Sequence, residues 1–185
     1  MLQIPDGSTI LNHVTTSCRW AQNIGDKVIV TTPDRLIFDW VAREGLCEAT
    51  YYSGERDPLR EFFNAATAFK LDHIVRITAD CPLISPKMIT EMIEHYMAYP
   101  AQKLLIYNTS PGDMELDGQD VEIFPYSYLK LAHENATAPD DREHVTTWMR
   151  KNLPSMQIKM PYEGQTLSVN TLEDYLKVCE IIENQ

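Results

Sequence analysis

The sequence predicts an α/β domain built on an open, mostly parallel, doubly wound sheet. Short β-branched runs alternate with amphipathic helical patterns along the whole 185-residue chain. Two of these runs, KVIVTT at 27–32 and HIVRIT at 73–78, are nearly continuous apolar stretches of the kind buried on both faces. Polar residues follow several of the strands, at the edge where open parallel sheets bind their ligands.

The elements follow in order. Ile10, Leu11, Val14, Cys18 and Ala21 fall on one helical face, with Gly25 as a stop. After the strand at 27–32, residues 34–45 read as a helix with Leu36, Ile37, Trp40 and Val41 on one side and Gly45 at its end. CEATYY at 47–52 is the next strand. Asp57-Pro58 supplies a cap followed by proline at the first helical position, and Leu59, Phe62, Phe63, Ala66 and Phe69 point inward from that helix. Beyond the strand at 73–78, a helix after Pro86 buries Ile89, Met92, Ile93, Tyr96 and Met97. KLLIYN at 103–108 and DVEIF at 120–124 are strands, with helices expected near 126–136 and 140–152. MQIKM at 156–160 and LSV at 167–169 are short strands. Thr171 and Asp174 form a capping box for a last helix carrying Leu172, Tyr175, Leu176 and Cys179. The long polar loop TSPGDMELDG at 109–118 is either a binding loop or a disordered tip.

Composition narrows the class. With 44% hydrophobic and 23% charged residues, positions 1–185 suit a single globular domain. No apolar run has the length of a membrane span or a signal segment, so a cytoplasmic protein with no membrane partner is expected. A formal charge of −11, from 16 basic against 27 acidic residues, excludes a nucleic-acid footprint. A small phosphate ligand needs only a few basic residues and is compatible with that balance. Cys18, Cys47, Cys81 and Cys179 form no CxxC pair, which points to reduced, packed thiols and away from a structural zinc site.

Three segments place polar groups beyond strand ends: Thr31-Thr32-Pro33-Asp34, Thr78-Ala79-Asp80-Cys81-Pro82 and Val169-Asn170-Thr171. In the second, an apolar strand runs directly into Asp80 and a Cys-Pro-Leu-Ile turn, which fixes a carboxylate at the sheet edge. Such a group suits a hard divalent cation bridging phosphate oxygens. It also suits the capping of its own turn, or of the helix that starts near Pro86, and spacing does not choose between these roles.

The stretches IVRITADCPLISPKMI, DGQDVEIFPYSYLKLA and DDREHVTTWMRKNLP resemble the cytidylyltransferase-like family of spore coat polysaccharide biosynthesis proteins. That family is related to the synthetases of CMP-activated acidic sugars, such as sialic acid and 3-deoxy-manno-octulosonate. SGERDPLREFFNAA at 53–66 and VNTLEDYLKVCEI at 169–181 extend the resemblance over essentially the whole chain. It implies a nucleotide-diphospho-sugar transferase-like fold and a nucleotidyltransferase reaction. A sugar hydroxyl attacks the α-phosphate of CTP or a similar nucleotide triphosphate, with Mg²⁺ neutralising charge. By the same resemblance Asp80 is the metal- and nucleotide-binding aspartate. Thr31 and Thr32 lie at a strand end expected to meet the nucleotide. Residues 140–144 face the sugar, with Arg142 suited to a carboxylate or phosphate through its planar fork. Read by itself, Arg142 is equally suited to pairing with Asp140, Asp141 or Glu143, and His144 to packing or capping. Asp120 and Glu122 match a substrate-binding strand, and alternation puts both on one face.

Two departures stand out. The family's closing aspartate, its second metal ligand, is Asn170 here, a neutral and weaker oxygen donor. The family also opens with a strand and a basic, glycine-containing loop, and Met1-Leu2-Gln3-Ile4 aligns just after it. Without that loop the 185 residues are expected to turn over CTP poorly. In the family's strand order the opening strand lies between 27–32 and 73–78, so these two are expected to pair directly, to be bridged by another segment, or to meet residues upstream. A non-catalytic relative that binds a sugar or a partner, and a glycosyltransferase using a nucleotide sugar, are the competing functions. A homodimer is compatible with the resemblance.

Overall fold

The computed structural model describes residues 3–21, 27–99, 104–109 and 116–184. Most of the polar loop at 109–118, and the proposed stop at Gly25, lie outside the described residues.

The first helix, α1 (Ile10–Trp20), is opened by a capping box. Thr9 accepts from the Asn12 backbone, and the Asn12 side chain accepts from the backbone N–H of Thr9. Strand β1 (Ile29–Thr32) pairs in parallel with β2 (Glu48–Tyr51) across α2 (Arg35–Glu44). Asp34 caps α2 by accepting from Leu36 and Ile37, and Gly45 ends it in the left-handed conformation at φ 62°. Helix α3 (Pro58–Ala68) leads to β3 (His73–Arg76), and α4 (Pro86–Ala98), capped by Ser85, leads to β4 (Leu105–Tyr107). The chain then returns through β5 (Glu122–Pro125), α5 (Tyr126–Asn135), α6 (Pro139–Glu143), α7 (Thr147–Asn152) and β6 (Ser155–Gln157) to α8 (Leu172–Glu183).

A four-stranded sheet runs in the order β3-β5-β4-β6. Within it β4 and β6 are parallel, while β5 is antiparallel to both of its neighbours. Its register aligns Arg76, Glu122, Tyr107 and Gln157 in one row across the sheet. Among the described residues β1 pairs only with β2 and β3 only with β5, so the direct pairing of 27–32 with 73–78 is not formed. The expected helix at 140–152 is two helices, because Val145 takes φ 51° and interrupts the ladder between α6 and α7. No strand forms at 167–169; that segment is held by the bonds of Ser168 and Val169 described below.

Alternation along the strands divides the core in two. Ile106 and Ile123 face α1 and α4, among Val14, Met88, Met92 and Tyr96. Leu105, Ile74 and Phe124 face α3, α5 and α7, among Leu59, Leu129, Val145 and Met149. Each large side chain removed from water contributes roughly 1.5–3 kcal/mol. By the same period of two, Glu122 lies on the face of Phe124, an apolar layer in which a carboxylate needs partners.

Candidate active site

Asp80 stands just past the end of β3, at the carboxyl edge of the four-stranded sheet. The buried Cys81 thiol is 2.9 Å from Thr78 Oγ1 and donates to Asp80 Oδ1 at 3.3 Å, fixing the carboxylate against its own turn. The Asp80 carbonyl accepts from the Val169 N–H at 2.8 Å. Asn170 is the next residue along the segment this bond holds to the Asp80 turn. Asn170 Nδ2 donates to Ser168 Oγ at 2.7 Å, and Ser168 donates from Oγ and N to Asp117 at 2.8 and 3.1 Å. Gly118 makes this packing possible: at φ 81° a Cβ would lie 2.5 Å from the Leu167 carbonyl oxygen.

Asp120 reaches the same region from the start of β5. Burial pushes its carboxyl above the ordinary value; the hydrogen bond from Thr109 Oγ1 opposes this, and the charges of Glu122 and Asp117 add to the rise. The fully buried Gln119 locks the two segments together. Its Nε2 donates to the Leu83 carbonyl at 2.7 Å and its Oε1 accepts from the Ser85 N–H at 2.9 Å. Gln119 has no chemistry that composition or spacing could flag.

Glu122 does not open into the cleft, and its expected role as a direct substrate ligand is corrected here. Its side chain is 5% exposed and its oxygens are engaged. Arg76 Nη1 donates to Oε2 at 2.5 Å, Arg150 Nη2 donates to Oε1 at 2.5 Å, and Thr146 Oγ1 also donates to Oε1. Burial alone would raise this carboxyl, but the two guanidinium groups outweigh it and hold it below the ordinary value. The Arg150 guanidinium carbon lies 3.8 Å from the Tyr107 ring centroid, and Arg150 Nη1 donates to the Thr109 carbonyl at 3.2 Å. Arg76 had a signal in the sequence, a cation inside an otherwise apolar strand. Arg150 had none.

Arg142 and His144 line a different surface, a groove of about 830 Å³ that also takes in Tyr52, Arg56, Arg60 and Asp140. None of Asp80, Asp120 or Asn170 lines it. Arg142 pairs with none of the three neighbouring acids considered from the sequence. Its Nε and Nη2 donate to Asp57 Oδ2 at 2.9 and 2.6 Å, and its Nη1 donates to the Ala136 carbonyl at 2.9 Å. Asp57 is also the cap of α3, so Arg142 ties the end of α6 to the start of α3. His144 Nε2 lies 3.5 Å from Asp140 Oδ1 on an exposed turn. Thr31 sits opposite Thr50 in the β1–β2 ladder; the buried Thr32 accepts from the Asp34 N–H at 3.1 Å and closes the turn into α2.

Among the described residues, no group of three or more His, Cys, Asp or Glu side chains is placed to hold a metal ion. The donors at the strand ends are one carboxylate, Asp80, and one amide oxygen, Asn170. That set fits a Mg²⁺ ion that keeps much of its water and shares its remaining positions with phosphate oxygens, and it does not fit an all-protein cage. No helix in the described residues is long and apolar enough to cross a membrane.

A family model described as Cytidylyltransferase matches residues 5–182. An uncharacterized protein of Methanocaldococcus jannaschii is 26% identical over 186 residues, covering 93% of this chain and 72% of that protein. A cytidylyltransferase from Leptospira borgpetersenii superposes with a TM-score of 0.82 at 23% identity, over 100% of this chain and 79% of the other. CMP:2-keto-3-deoxy-manno-octonic acid synthetase, in its complex with CTP, superposes with a TM-score of 0.74 at 13% identity, over 99% of this chain and 90% of the other. The α/β architecture with open sheets is therefore shared with nucleotidyltransferases.

Proposed function

Because the chain belongs to the cytidylyltransferase family, we propose that it transfers the cytidylyl group of CTP to a hydroxyl of an acidic sugar used in surface polysaccharide synthesis. The hydroxyl oxygen bonds to the α-phosphorus, the bond from that phosphorus to the bridging oxygen breaks, and pyrophosphate leaves. The proton released by the hydroxyl needs an acceptor. Asp120 is suited to that task, since burial has raised its affinity for a proton.

The observation that carries this reading is the bond from the Val169 N–H to the Asp80 carbonyl, which holds the segment bearing Asn170 against the Asp80 turn. These two residues would hold Mg²⁺, which when bound offsets the charge of the triphosphate and the departing pyrophosphate. Cys81 and Thr78 hold the Asp80 carboxylate in place, so positioning is built into the fold.

The test is pyrophosphate release from CTP and Mg²⁺ in the presence of acidic sugars, followed by calorimetry with each component. Release that requires an acidic sugar and disappears in Asp80→Asn supports the transferase. Binding of acidic sugar with no release under any condition replaces it with a non-catalytic sugar-binding relative.

A further inference from the structure

Helix α1 buries Leu11, Val14 and Cys18 and turns a second stripe outward. His13, Thr16, Ser17 and Trp20 recur along that stripe at three- and four-residue spacing, and all four line a groove of about 540 Å³. The turn from Pro82 to Pro86 also lines it, together with Tyr162 and Gln165. Its volume lies in the range of about 300–1,000 Å³ that small-ligand sites occupy. None of Asp80, Asp120 or Asn170 lines this groove, and it shares no residue with the groove around Arg142.

Trp20 is 74% exposed. Among the described residues Leu36 and Leu172 are about as exposed, but neither borders either groove. A scattered apolar side chain of that kind needs no explanation, whereas an indole on the wall of a concavity is placed for contact. Around it stand hydrogen-bonding groups that the protein leaves open. Thr16 Oγ1, Ser17 Oγ, the Gln165 amide and the Tyr162 hydroxyl make no hydrogen bond to another described residue. The wall formed by the turn is ordered before a ligand arrives. Gln119 holds the Leu83 carbonyl at 2.7 Å and the Ser85 N–H at 2.9 Å, and the Ile84 N–H donates to the Cys81 carbonyl at 3.1 Å.

Charge narrows the ligand class. The one acid among the described lining residues is Asp6, and it is already compensated. Its Oδ1 accepts from Ser8 N and Oγ at 2.9 and 2.7 Å, and its Oδ2 lies 3.0 Å from His13 Nε2. No lysine or arginine is among the described residues that line the groove. A phosphate or carboxylate would lose water here with no cation to meet it, and a stacked nucleic-acid strand fails for the same reason. What fits is a neutral ligand with one apolar face and a rim that both donates and accepts. A pyranose has that form, with C–H groups on a ring face and hydroxyls around its edge. The C–H face packs on an indole by dispersion, and the hydroxyls meet the open side chains beside it.

We propose that this groove binds a neutral saccharide of about two pyranose rings, sized by its volume. Trp20 is the stacking platform, and Thr16, Ser17 and Gln165 are the hydrogen-bonding partners. The site is separate from the strand-end residues and does not depend on the transfer reaction proposed above.

The experiment titrates the 185-residue chain with maltose and with cellobiose. Glucose 1-phosphate serves as the anionic control, and a polyproline peptide as the control for a different ligand of aromatic grooves. Tryptophan emission and calorimetry are the two readouts. At least one disaccharide binds saturably and shifts the emission. Trp20→Ala abolishes the shift and weakens binding by about tenfold or more, while Trp20→Tyr stays within about threefold of wild type by calorimetry. Thermal unfolding of Trp20→Ala stays at the wild-type temperature, since the indole packs into no core. Gln165→Ala changes an exposed side chain away from α1 and lowers affinity by about threefold to tenfold, a second variant that does not rely on the helix. Absence of saturable binding by both disaccharides, equal affinity in wild type and Trp20→Ala, or tighter binding of glucose 1-phosphate or polyproline overturns the site. Self-association that Trp20→Ala abolishes, read by sedimentation, gives this face to a second copy of the chain and overturns it as well.

Discussion

The Val169 N–H donates to the carbonyl oxygen of Asp80 at 2.8 Å, joining two segments that lie far apart in the chain. One backbone bond therefore holds the segment that carries Asn170 to the turn that carries Asp80.

Asp80→Asn is expected to weaken Mn²⁺ or Mg²⁺ binding by tenfold or more, with thermal stability nearly unchanged, because a strand-end carboxylate is not core packing. Asn170→Asp is expected to strengthen binding by adding a second charge. Paramagnetic titration with Mn²⁺ measures both. Unchanged affinity in the two variants would return Asp80 to the role of a turn cap.

Glu122 makes stability depend on pH in a definite direction. Its folded carboxyl lies below the ordinary 4.5, so between the two values the unfolded chain binds more protons and stability rises with pH. The contribution is fully present above about 4.5 and fades as pH falls through the folded value. Asp120, with a raised carboxyl, works with the opposite sign. Denaturant unfolding between pH 3 and pH 6 is expected to show a shallower acid-side slope in Glu122→Gln, together with a loss of about 3–5 kcal/mol at neutral pH from breaking a buried pair. An unaltered slope would mean that Glu122 is not the group responsible.

Gly118→Ala is expected to cost more than about 1 kcal/mol, since φ 81° disfavours any side chain and the added Cβ meets the Leu167 carbonyl at 2.5 Å. The displaced segment carries Ser168 and Asn170, so metal affinity falls with stability. Retained stability and unchanged metal binding would show that the two loops separate easily.

Arg142→Lys keeps the charge but loses the two bonds to Asp57 and the one to Ala136. A double-mutant cycle with Asp57→Asn is expected to give a coupling of about 1 kcal/mol, read by denaturant unfolding, with acidic-sugar affinity little changed. A large loss of affinity at constant stability would place Arg142 on the ligand after all.

Much of the fold was legible because its signals are local. Asp57 and Thr171 cap the helices assigned to them from the sequence, while the caps Thr9, Asp34 and Ser85 emerge only in the structure. The break at Val145 was not legible, since a β-branched residue with positive φ is chosen by tertiary packing against local preference. The strand-end position of Asp80 followed from the pattern of the strands, whereas the segment of Asn170 forms no strand and is held by the Val169 bond. The fate of Glu122 did not. Alternation correctly placed it on one face, but the face belongs to a filled layer, and only the fold brings Arg76 and Arg150 to it. Arg142 was read against its sequence neighbours, whereas its partner Asp57 comes from another helix start.

Gln119 gives the strand-end region a mechanical character. Its amide spans the turn before α4 and the entrance to β5, and Asn108 closes the loop by donating to the Gln119 carbonyl at 2.6 Å and accepting from the Val121 N–H at 2.8 Å. A ligand arriving there meets groups that are already ordered, so its association is a docking event with no coupled folding of those segments. The heat capacity of binding is then set by the apolar area the ligand itself covers, and stays small for a polar sugar.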